Sequence, residues 1–140
     1  MKEKNILIVE DDLEVCSLYN FFLKNEGYVL HEAHTGYEAL SMLGIRVDNR
    51  ENREVPPLPE LPDLIILDMM LPVFDGYTIV HMLLNDRRLK NIPVIIVSAR
   101  SSISNIYPAC RNIRGFFTKP FDHNLITKRI KSLLKQSADP

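Results

Sequence analysis

The chain has 140 residues, the usual size of one domain, and its 46% hydrophobic and 25% charged residues are ordinary for a soluble globular protein. A net charge of -1 and a pI near 6.4 argue against a broad nucleic-acid-binding surface. No apolar run approaches the roughly 20 residues of a membrane span, and no secretory signal is recognisable. Cys16 and Cys110 are interpreted as buried thiols rather than a disulfide, so we expect a single cytoplasmic domain.

The first half of the chain alternates strand and helix patterns. The run NILIV at 5–9 predicts a buried strand, and Asp12 is placed to cap the amphipathic helix that follows. Gly27 ends that helix pattern. Residues 28–33 predict a shorter, more polar strand towards one edge, with a short helix reaching Leu43 after it.

Residues 45–62 interrupt this alternation, because the sequence is first charged and then rich in proline. We interpret the segment as a surface loop inserted before the third strand, and expect it at the opposite end of the sheet from Asp68. The loop is either solvated and mobile or a docking strip in an extended form. The last residues, 136–140, are expected to form a disordered tail.

The second half continues the alternation around LIILD at 64–68, an apolar run typical of a strand buried on both faces. The remaining predicted elements are a helix over 77–85, a strand over 93–97, a helix over 102–111, a strand over 115–118 and a final helix capped by Asp122.

Five alternations of strand and helix predict an α/β protein. We expect a flavodoxin-like doubly wound (βα)5 fold with a five-stranded parallel sheet in the order 2-1-3-4-5. Its topological switch point then falls between the first and third strands. These two strands end at Glu10, Asp11 and Asp68, so the acids should converge at the crevice that the fold provides.

Carboxylates a few ångströms apart repel one another unless a cation compensates them. An all-oxygen site suits Mg²⁺, bound directly by Asp11 and Asp68 and by Glu10 directly or through water. A backbone carbonyl after Asp68, that of Met70, would complete the protein ligands. The sequence shows no cluster of His and Cys, and its four histidines are scattered, so no soft transition metal is predicted.

Lys119 and Ser98 follow the fifth and fourth strands and add an ammonium group and a hydroxyl to the same edge. With Mg²⁺ they would cradle an anion with several oxygens, and a phosphoryl group fits because its transfer needs charge neutralisation and positioning. Asp68 is then the candidate nucleophile, forming an aspartyl phosphate.

Four motifs in this order resemble the receiver domain of two-component response regulators: VEDD, LIILDMMLP, VIIVSAR and FFTKPF. The resemblance runs from about residue 5 to residue 134, except for the 45–62 loop. It implies that Asp68 is the phospho-acceptor, that Glu10 and Asp11 hold Mg²⁺ with the Met70 carbonyl, and that Lys119 pairs with a phosphoryl oxygen.

The resemblance also implies a switch made of the Ser98 hydroxyl and the aromatic Phe116, and a cis peptide bond between Lys119 and Pro120. The output surface would comprise the fourth predicted helix, the fifth strand and the last helix, which could also form a homodimer. The implied partners are a sensor histidine kinase or histidine phosphotransfer protein and a downstream protein target, without direct nucleic acid binding. Such a domain is no enzyme beyond assisting its own phosphorylation and dephosphorylation.

Three other functions are alternatives for a protein with these residues. A receiver-like scaffold that is never phosphorylated would use Lys119 only to neutralise an acidic cluster. A Mg²⁺-dependent phosphohydrolase with an aspartyl intermediate is disfavoured, because enzymes of the haloacid dehalogenase type carry a second Asp where this chain has Met70. An FMN carrier is disfavoured because EDDLEV lacks a Ser/Thr-rich phosphate loop.

Overall fold

The computed structural model describes residues 3–47, 54–71, 75–99 and 110–135. Most of the predicted fourth helix, the central part of the predicted insertion and the predicted tail lie outside these residues, at 102–109, 48–53 and 136–140. The described strands are β1 (Asn5–Val9), β2 (Val29–Ala33), β3 (Leu64–Asp68), β4 (Val94–Ser98) and β5 (Ile113–Thr118). The described helices are α1 (Leu13–Lys24), α2 (Gly36–Met42), α3 (Gly76–Leu84) and α4 (His123–Leu133).

The five strands form one parallel sheet in the order β2-β1-β3-β4-β5, which confirms the predicted topology. Val9 pairs with Leu67, Asp68 pairs with Val97, and Ser98 pairs with Thr118. The carboxyl ends of four strands therefore lie level with one another, at the edge where open α/β sheets place their sites.

Alternate residues of the central strands face two separate hydrophobic cores. On β3, Ile65 and Leu67 pack on the side of α2 and α3, whereas Leu64 and Ile66 pack on the side of α1 and α4. Because every residue of β3 is buried, the strand lies in the middle of the sheet as its apolar sequence predicts. Each fully buried Leu or Ile contributes roughly 1.5–3 kcal/mol, which makes this strand a rigid support for the residue that ends it.

The described helices begin at oxygen-bearing side chains that accept backbone N–H groups, as helix N-termini require. Asp12 accepts the N–H of Glu14, and Asp122 accepts the N–H of Asn124, so both predicted caps are confirmed. Thr35 and Asp75 cap α2 and α3 in the same way. Within the described residues, no helix is long and apolar enough to cross a bilayer.

The predicted ends of three strands differ from the observed ones by one or two residues. β2 begins at Val29 rather than at Tyr28. β4 begins after Pro93, which has no N–H for the sheet and whose carbonyl accepts the N–H of Ile65 (3.0 Å). β5 begins at Ile113 rather than at Gly115, and the register between β4 and β5 shifts between Val94 and Ile95. At this shift β5 has one residue more than β4, and beyond it the side chains of β5 again alternate between the two faces of the sheet.

The described residues 54–58 of the insertion lie beside α2. The final part of the insertion lies at the amino edge of the sheet, because the N–H of Asp63 donates to the Asn5 carbonyl (2.8 Å) and the N–H of Leu58 donates to the Met42 carbonyl (2.9 Å). Residues 54–56, however, line a pocket with Tyr37 in the first turn of α2, which follows the carboxyl end of β2. The contacts of Leu58 and Glu60 therefore agree with the expectation that the insertion lies opposite Asp68, and the position of its other residues stays a prediction.

Candidate functional site

Three carboxylates meet where β1 and β3 end. Glu10 follows β1 and is 1% exposed, and its N–H donates to the carbonyl of Ala33 (2.9 Å), so the neighbouring strand β2 fixes its backbone. Asp68 ends β3 and is 5% exposed, whereas Asp11 is exposed. One oxygen of each of these three side chains lies within 4.8 Å of the others. The two adjacent strand ends thus bring together the acids that the sequence placed there.

Lys119 bridges the two buried acids. Its Nζ lies 2.9 Å from Oε1 of Glu10 and 3.1 Å from Oδ2 of Asp68. The backbone of Lys119 is held as well, because its N–H donates to the carbonyl of Ser98 (2.8 Å) at the end of β4. The peptide bond to Pro120 is cis, as the resemblance implied. The ammonium group therefore compensates part of the negative charge at this edge of the sheet.

Both oxygens of Asp68 have partners in the protein. Oδ1 accepts the backbone N–H of Met70 (2.9 Å), and Oδ2 accepts a hydrogen bond from Lys119. The side chain of Met70 is 46% exposed and stands on the solvent side of the site. A carboxylate held at both oxygens cannot rotate freely, so its orientation is fixed before any ligand arrives. That the Met70 carbonyl binds a metal stays a prediction.

The charges at the site are strongly linked. Burial raises the pKa of Glu10 to about 7, the hydrogen bond from Lys119 opposes this, and the charge of Asp68 adds to it. Burial would lower the pKa of Lys119, but its hydrogen bond to Glu10 and the charge of Asp68 raise that pKa above its usual value. Lys119 therefore remains a fixed positive charge, while Glu10 is the group that gains or loses a proton near neutral pH.

Gly76 allows α3 to begin directly beside Asp68. A Cβ atom added at this position would lie 2.7 Å from Cα of Met69 and 3.1 Å from the carbonyl oxygen of Asp68. The Gly76 N–H donates to the Met69 carbonyl (3.1 Å), which closes the turn between β3 and α3. This role of Gly76 was not predicted from the sequence. The DG pair before the helix was the available signal.

The two predicted switch residues lie on adjacent strands. Ser98 ends β4, one residue after the partner of Asp68 in the sheet register, and it is fully buried. Phe116 on β5 pairs with Ile96 and packs, partly buried, against the core on the α2 and α3 side. Their positions suit a hydroxyl at the site and an aromatic residue behind it, and their switching role stays a prediction.

The acidic cluster suits Mg²⁺ by its chemistry. Its donors are carboxylate oxygens from Glu10, Asp11 and Asp68, and hard oxygen donors are the ligands that Mg²⁺ prefers. Asp11 is exposed, which leaves a path for a hydrated ion. A magnesium ion here would neutralise the acids and an incoming phosphoryl group.

A second cluster contradicts the expectation that no His and Cys side chains come together. Cys16 on α1 lies beside Glu32 on β2 and His34 just after β2, with one donor atom of each within 4.8 Å of the others. The sequence analysis missed it because Cys16 and His34 are far apart along the chain. Glu32 and His34 at i and i+2 share one face of an extended segment, which was the available signal.

Comparison with known proteins agrees with the fold. The family described as response regulator receiver domain matches residues 6–131. The chain therefore belongs to the response regulator receiver domain family, the class of two-component signalling domains whose motifs the sequence resembles.

Named relatives support this assignment. The response regulator GtcR of Aneurinibacillus migulanus is 32% identical over 135 residues, which cover 96% of this chain and 49% of that protein. A putative response regulator from Chloroflexus aurantiacus is 28% identical, with a TM-score of 0.76 and coverage of 96% of this chain and 100% of that one. The phosphorylated cyanobacterial phytochrome response regulator RcpA is 27% identical, with a TM-score of 0.74 and coverage of 99% and 98%. The chain spans about half the length of the curated relatives it matches.

Proposed function

We propose that this receiver domain accepts a phosphoryl group on Asp68, with Mg²⁺ bound beside it, and thereby switches a surface that a partner protein reads. The phosphoryl donor is the phosphohistidine of a sensor histidine kinase or of a histidine phosphotransfer protein. The observation that supports this most strongly is the position of Lys119, whose Nζ contacts both Glu10 and Asp68 at the end of three parallel strands.

Asp68, Lys119 and the acidic residues would have different roles in phosphoryl transfer. An oxygen of Asp68 attacks phosphorus, a P–O bond forms, the P–N bond to the donor imidazole breaks, and the imidazole leaves with the bonding electrons and takes up a proton. No general base is needed, because the attacking group is an ionised carboxylate. Lys119 stays positively charged and can follow the negative charge from the carboxylate to the phosphoryl oxygens. Mg²⁺ bound by Glu10, Asp11 and Asp68 would supply charge neutralisation.

The proposed switch follows from the oxygens that a phosphoryl group would add to Asp68. Lys119 and the Met70 N–H now satisfy the two oxygens of Asp68, and a phosphoryl group adds oxygens that need new donors. The Ser98 hydroxyl is the candidate donor on β4, and its movement would open space for Phe116 to turn inward from β5. The output surface would then include β5 and α4, together with the predicted helix over 102–111.

A phosphorylation-independent scaffold is the second candidate. The salt bridges from Lys119 to Glu10 and Asp68 compensate two of the three acids without any ligand, so this contact by itself is also compatible with a purely structural role. The two candidates differ in one property: only a phospho-acceptor needs the acids to bind Mg²⁺ and a phosphoryl group.

Beryllofluoride, which mimics a phosphoryl group on a carboxylate, separates the two candidates. Fluorine NMR of the wild-type protein with beryllofluoride and Mg²⁺ should show a bound signal that requires both Mg²⁺ and Asp68. The Asp68→Asn variant should show none. A wild-type protein that binds neither Mg²⁺ nor beryllofluoride would support the scaffold and reject the phospho-acceptor.

A further inference from the structure

Cys16, Glu32 and His34 form a cluster that phosphoryl transfer does not use. Nε2 of His34 lies 2.9 Å from Oε1 of Glu32, and one donor atom from each of the three residues lies within 4.8 Å of the others. The residues come from α1 and from the end of β2, so the cluster joins a helix to the outermost strand of the sheet.

Three further hydrogen bonds hold the residues that carry these donors. Nδ2 of Asn20, one turn after Cys16 on α1, donates to the Cys16 carbonyl (3.0 Å) and to Oε2 of Glu32. The N–H of His34 donates to Oε1 of Glu38 (2.7 Å), which fixes the backbone of the histidine. Metal sites commonly hold their ligands through outer hydrogen bonds of this kind.

The donor chemistry differs from that of the acidic cluster. A thiolate and an imidazole are softer donors than carboxylate oxygens and favour zinc over Mg²⁺. Three protein ligands with a water molecule in the fourth position are a common zinc arrangement. Zn–N and Zn–S bonds of about 2.0–2.3 Å place tetrahedral ligands somewhat more than 3 Å apart. The His34 and Glu32 donor atoms would therefore need to separate by only a few tenths of an ångström.

The cluster combines a buried ligand with an open entrance. Cys16 is 2% exposed, whereas the side chains of Glu32 and His34 are 30% and 40% exposed. The carboxylate and the imidazole are therefore open to solvent, and a metal ion would meet them before the thiol. On binding, the Cys16 thiol releases its proton to solvent and its sulfur forms the bond to the metal, while His34 binds through an unprotonated ring nitrogen and keeps its proton on the other nitrogen, with no change of oxidation state.

We propose that Cys16, Glu32 and His34 bind one zinc-class divalent cation that ties α1 to the edge strand β2. The site is separate from the acidic cluster of Glu10, Asp11 and Asp68, although the two approach each other where Sγ of Cys16 contacts the Glu10 carbonyl (3.5 Å). The bound ion would stabilise the folded protein, because the ligands are brought together only when α1 packs on β2.

Cobalt(II) is the direct probe, since a cobalt–thiolate bond gives a charge-transfer absorption that oxygen ligands do not. Metal-free wild-type protein titrated with Co²⁺ should develop this absorption at one ion per chain, and Zn²⁺ should displace it. Cys16→Ser should abolish it. His34→Gln should weaken binding at least about tenfold, because even an outer-shell ligand partner contributes roughly 10–100-fold.

Matched controls separate this site from the rest of the protein. Cys110→Ser removes the other buried cysteine, and His31→Gln removes a histidine of β2 that lies next to Glu32 in sequence. Both variants should keep the absorption. Asp68→Asn should keep it too, which makes the result independent of the proposed phosphorylation. No thiolate absorption in the wild type, an unchanged absorption in Cys16→Ser, or an unchanged Co²⁺ affinity in His34→Gln would overturn the proposal.

Thermal unfolding gives a second test of zinc binding that does not use the cobalt absorption. Zn²⁺ should raise the midpoint of wild-type unfolding more than that of Cys16→Ser, because an ion that only the folded state binds stabilises it and the variant keeps only the acidic cluster. The comparison requires that both proteins unfold cooperatively without metal, which circular dichroism checks. Equal stabilisation of the two proteins by Zn²⁺ would contradict the site.

Discussion

The ammonium group of Lys119 lies 3.1 Å from Oδ2 of Asp68, and the same group lies 2.9 Å from Glu10. Both carboxylates are almost fully buried, whereas the lysine side chain is 22% exposed. The charges of these two buried carboxylates are thus compensated by one ammonium group, which belongs to the residue that follows β5. This arrangement links the stability of the metal-free protein to the chemistry of the site.

Replacing Lys119 by methionine should destabilise the metal-free protein. Without the ammonium group, Glu10 and Asp68 lose their shared partner in a buried place, and we expect the free energy of unfolding to fall by about 1–3 kcal/mol. Urea unfolding in the presence of a chelator measures this loss. Added Mg²⁺ should restore part of it, because the ion supplies the missing positive charge.

Lys131→Met is the matched control for that experiment. Lys131 also pairs with a carboxylate, that of Glu26 at 2.6 Å, but both side chains are substantially exposed. An exposed ion pair is screened by solvent and contributes little to stability, so this variant should differ little from the wild type and should not respond to Mg²⁺. Equal losses in the two variants would show that the position of Lys119 has no special importance.

The raised pKa of Glu10 predicts how stability changes with pH. Between the ordinary carboxyl range and about 7, the folded protein holds a proton on Glu10 that the unfolded chain has lost. Stability of the metal-free protein should therefore fall as the pH rises through this window, by at most about 1.4 kcal/mol per pH unit for this one proton. Above it, the loss is complete and constant.

Glu10→Gln tests the origin of that slope. Glutamine cannot ionise, so the variant should lose the contribution of Glu10 to the pH dependence and should be more stable than the wild type above about pH 7. Chemical unfolding at a series of pH values with a chelator gives the comparison. A variant with the same pH profile as the wild type would show that Glu10 does not titrate in this window.

Gly76→Ala should disturb the site without removing any of its chemical groups. The added Cβ would lie 2.7 Å from Cα of Met69, which is too close for backbone to tolerate, so the turn after Asp68 must shift. We expect a loss of about 1–3 kcal/mol in the free energy of unfolding and weaker Mg²⁺ binding by calorimetry. Gly115→Ala is the control, because its nearest contact would be at an ordinary 3.4 Å.

Apolar runs and helix caps made most of the fold predictable. β1 and β3 were predicted to the residue because their runs of buried aliphatic residues end sharply at acids. β5 was predicted too short, since Arg114 within it is exposed and hides the pattern. The acidic site followed from topology, which brings the ends of β1 and β3 side by side.

The cluster of Cys16, Glu32 and His34 shows what the sequence could not supply. Helix periodicity indicates that Cys16 faces inward, but not which part of the neighbouring strand it meets. That meeting depends on the packing of α1 against β2, a tertiary relationship with no local sequence signal. The close approach at Gly76 is similar, because only the coordinates reveal how little space separates α3 from Met69.

Ser98→Ala should separate acceptance of the phosphoryl group from the response to it. The side chain is fully buried at the end of β4, and alanine fits the same space, so Mg²⁺-dependent beryllofluoride binding should remain. The change in the NMR signals of Phe116 that accompanies binding should be lost or much reduced. Ser17→Ala on the exposed side of α1 should behave like the wild type. A full Phe116 response in Ser98→Ala would exclude the hydroxyl as the switch.

The central claim, that Asp68 accepts a phosphoryl group, is tested most directly by intact-protein mass spectrometry after incubation with acetyl phosphate and Mg²⁺. Asp75→Asn provides a control in the same loop, since asparagine caps α3 as well as aspartate does. The account predicts one added phosphoryl group in the wild type and in Asp75→Asn, and none in Asp68→Asn or without Mg²⁺. Phosphorylation of Asp68→Asn to the wild-type level would contradict it.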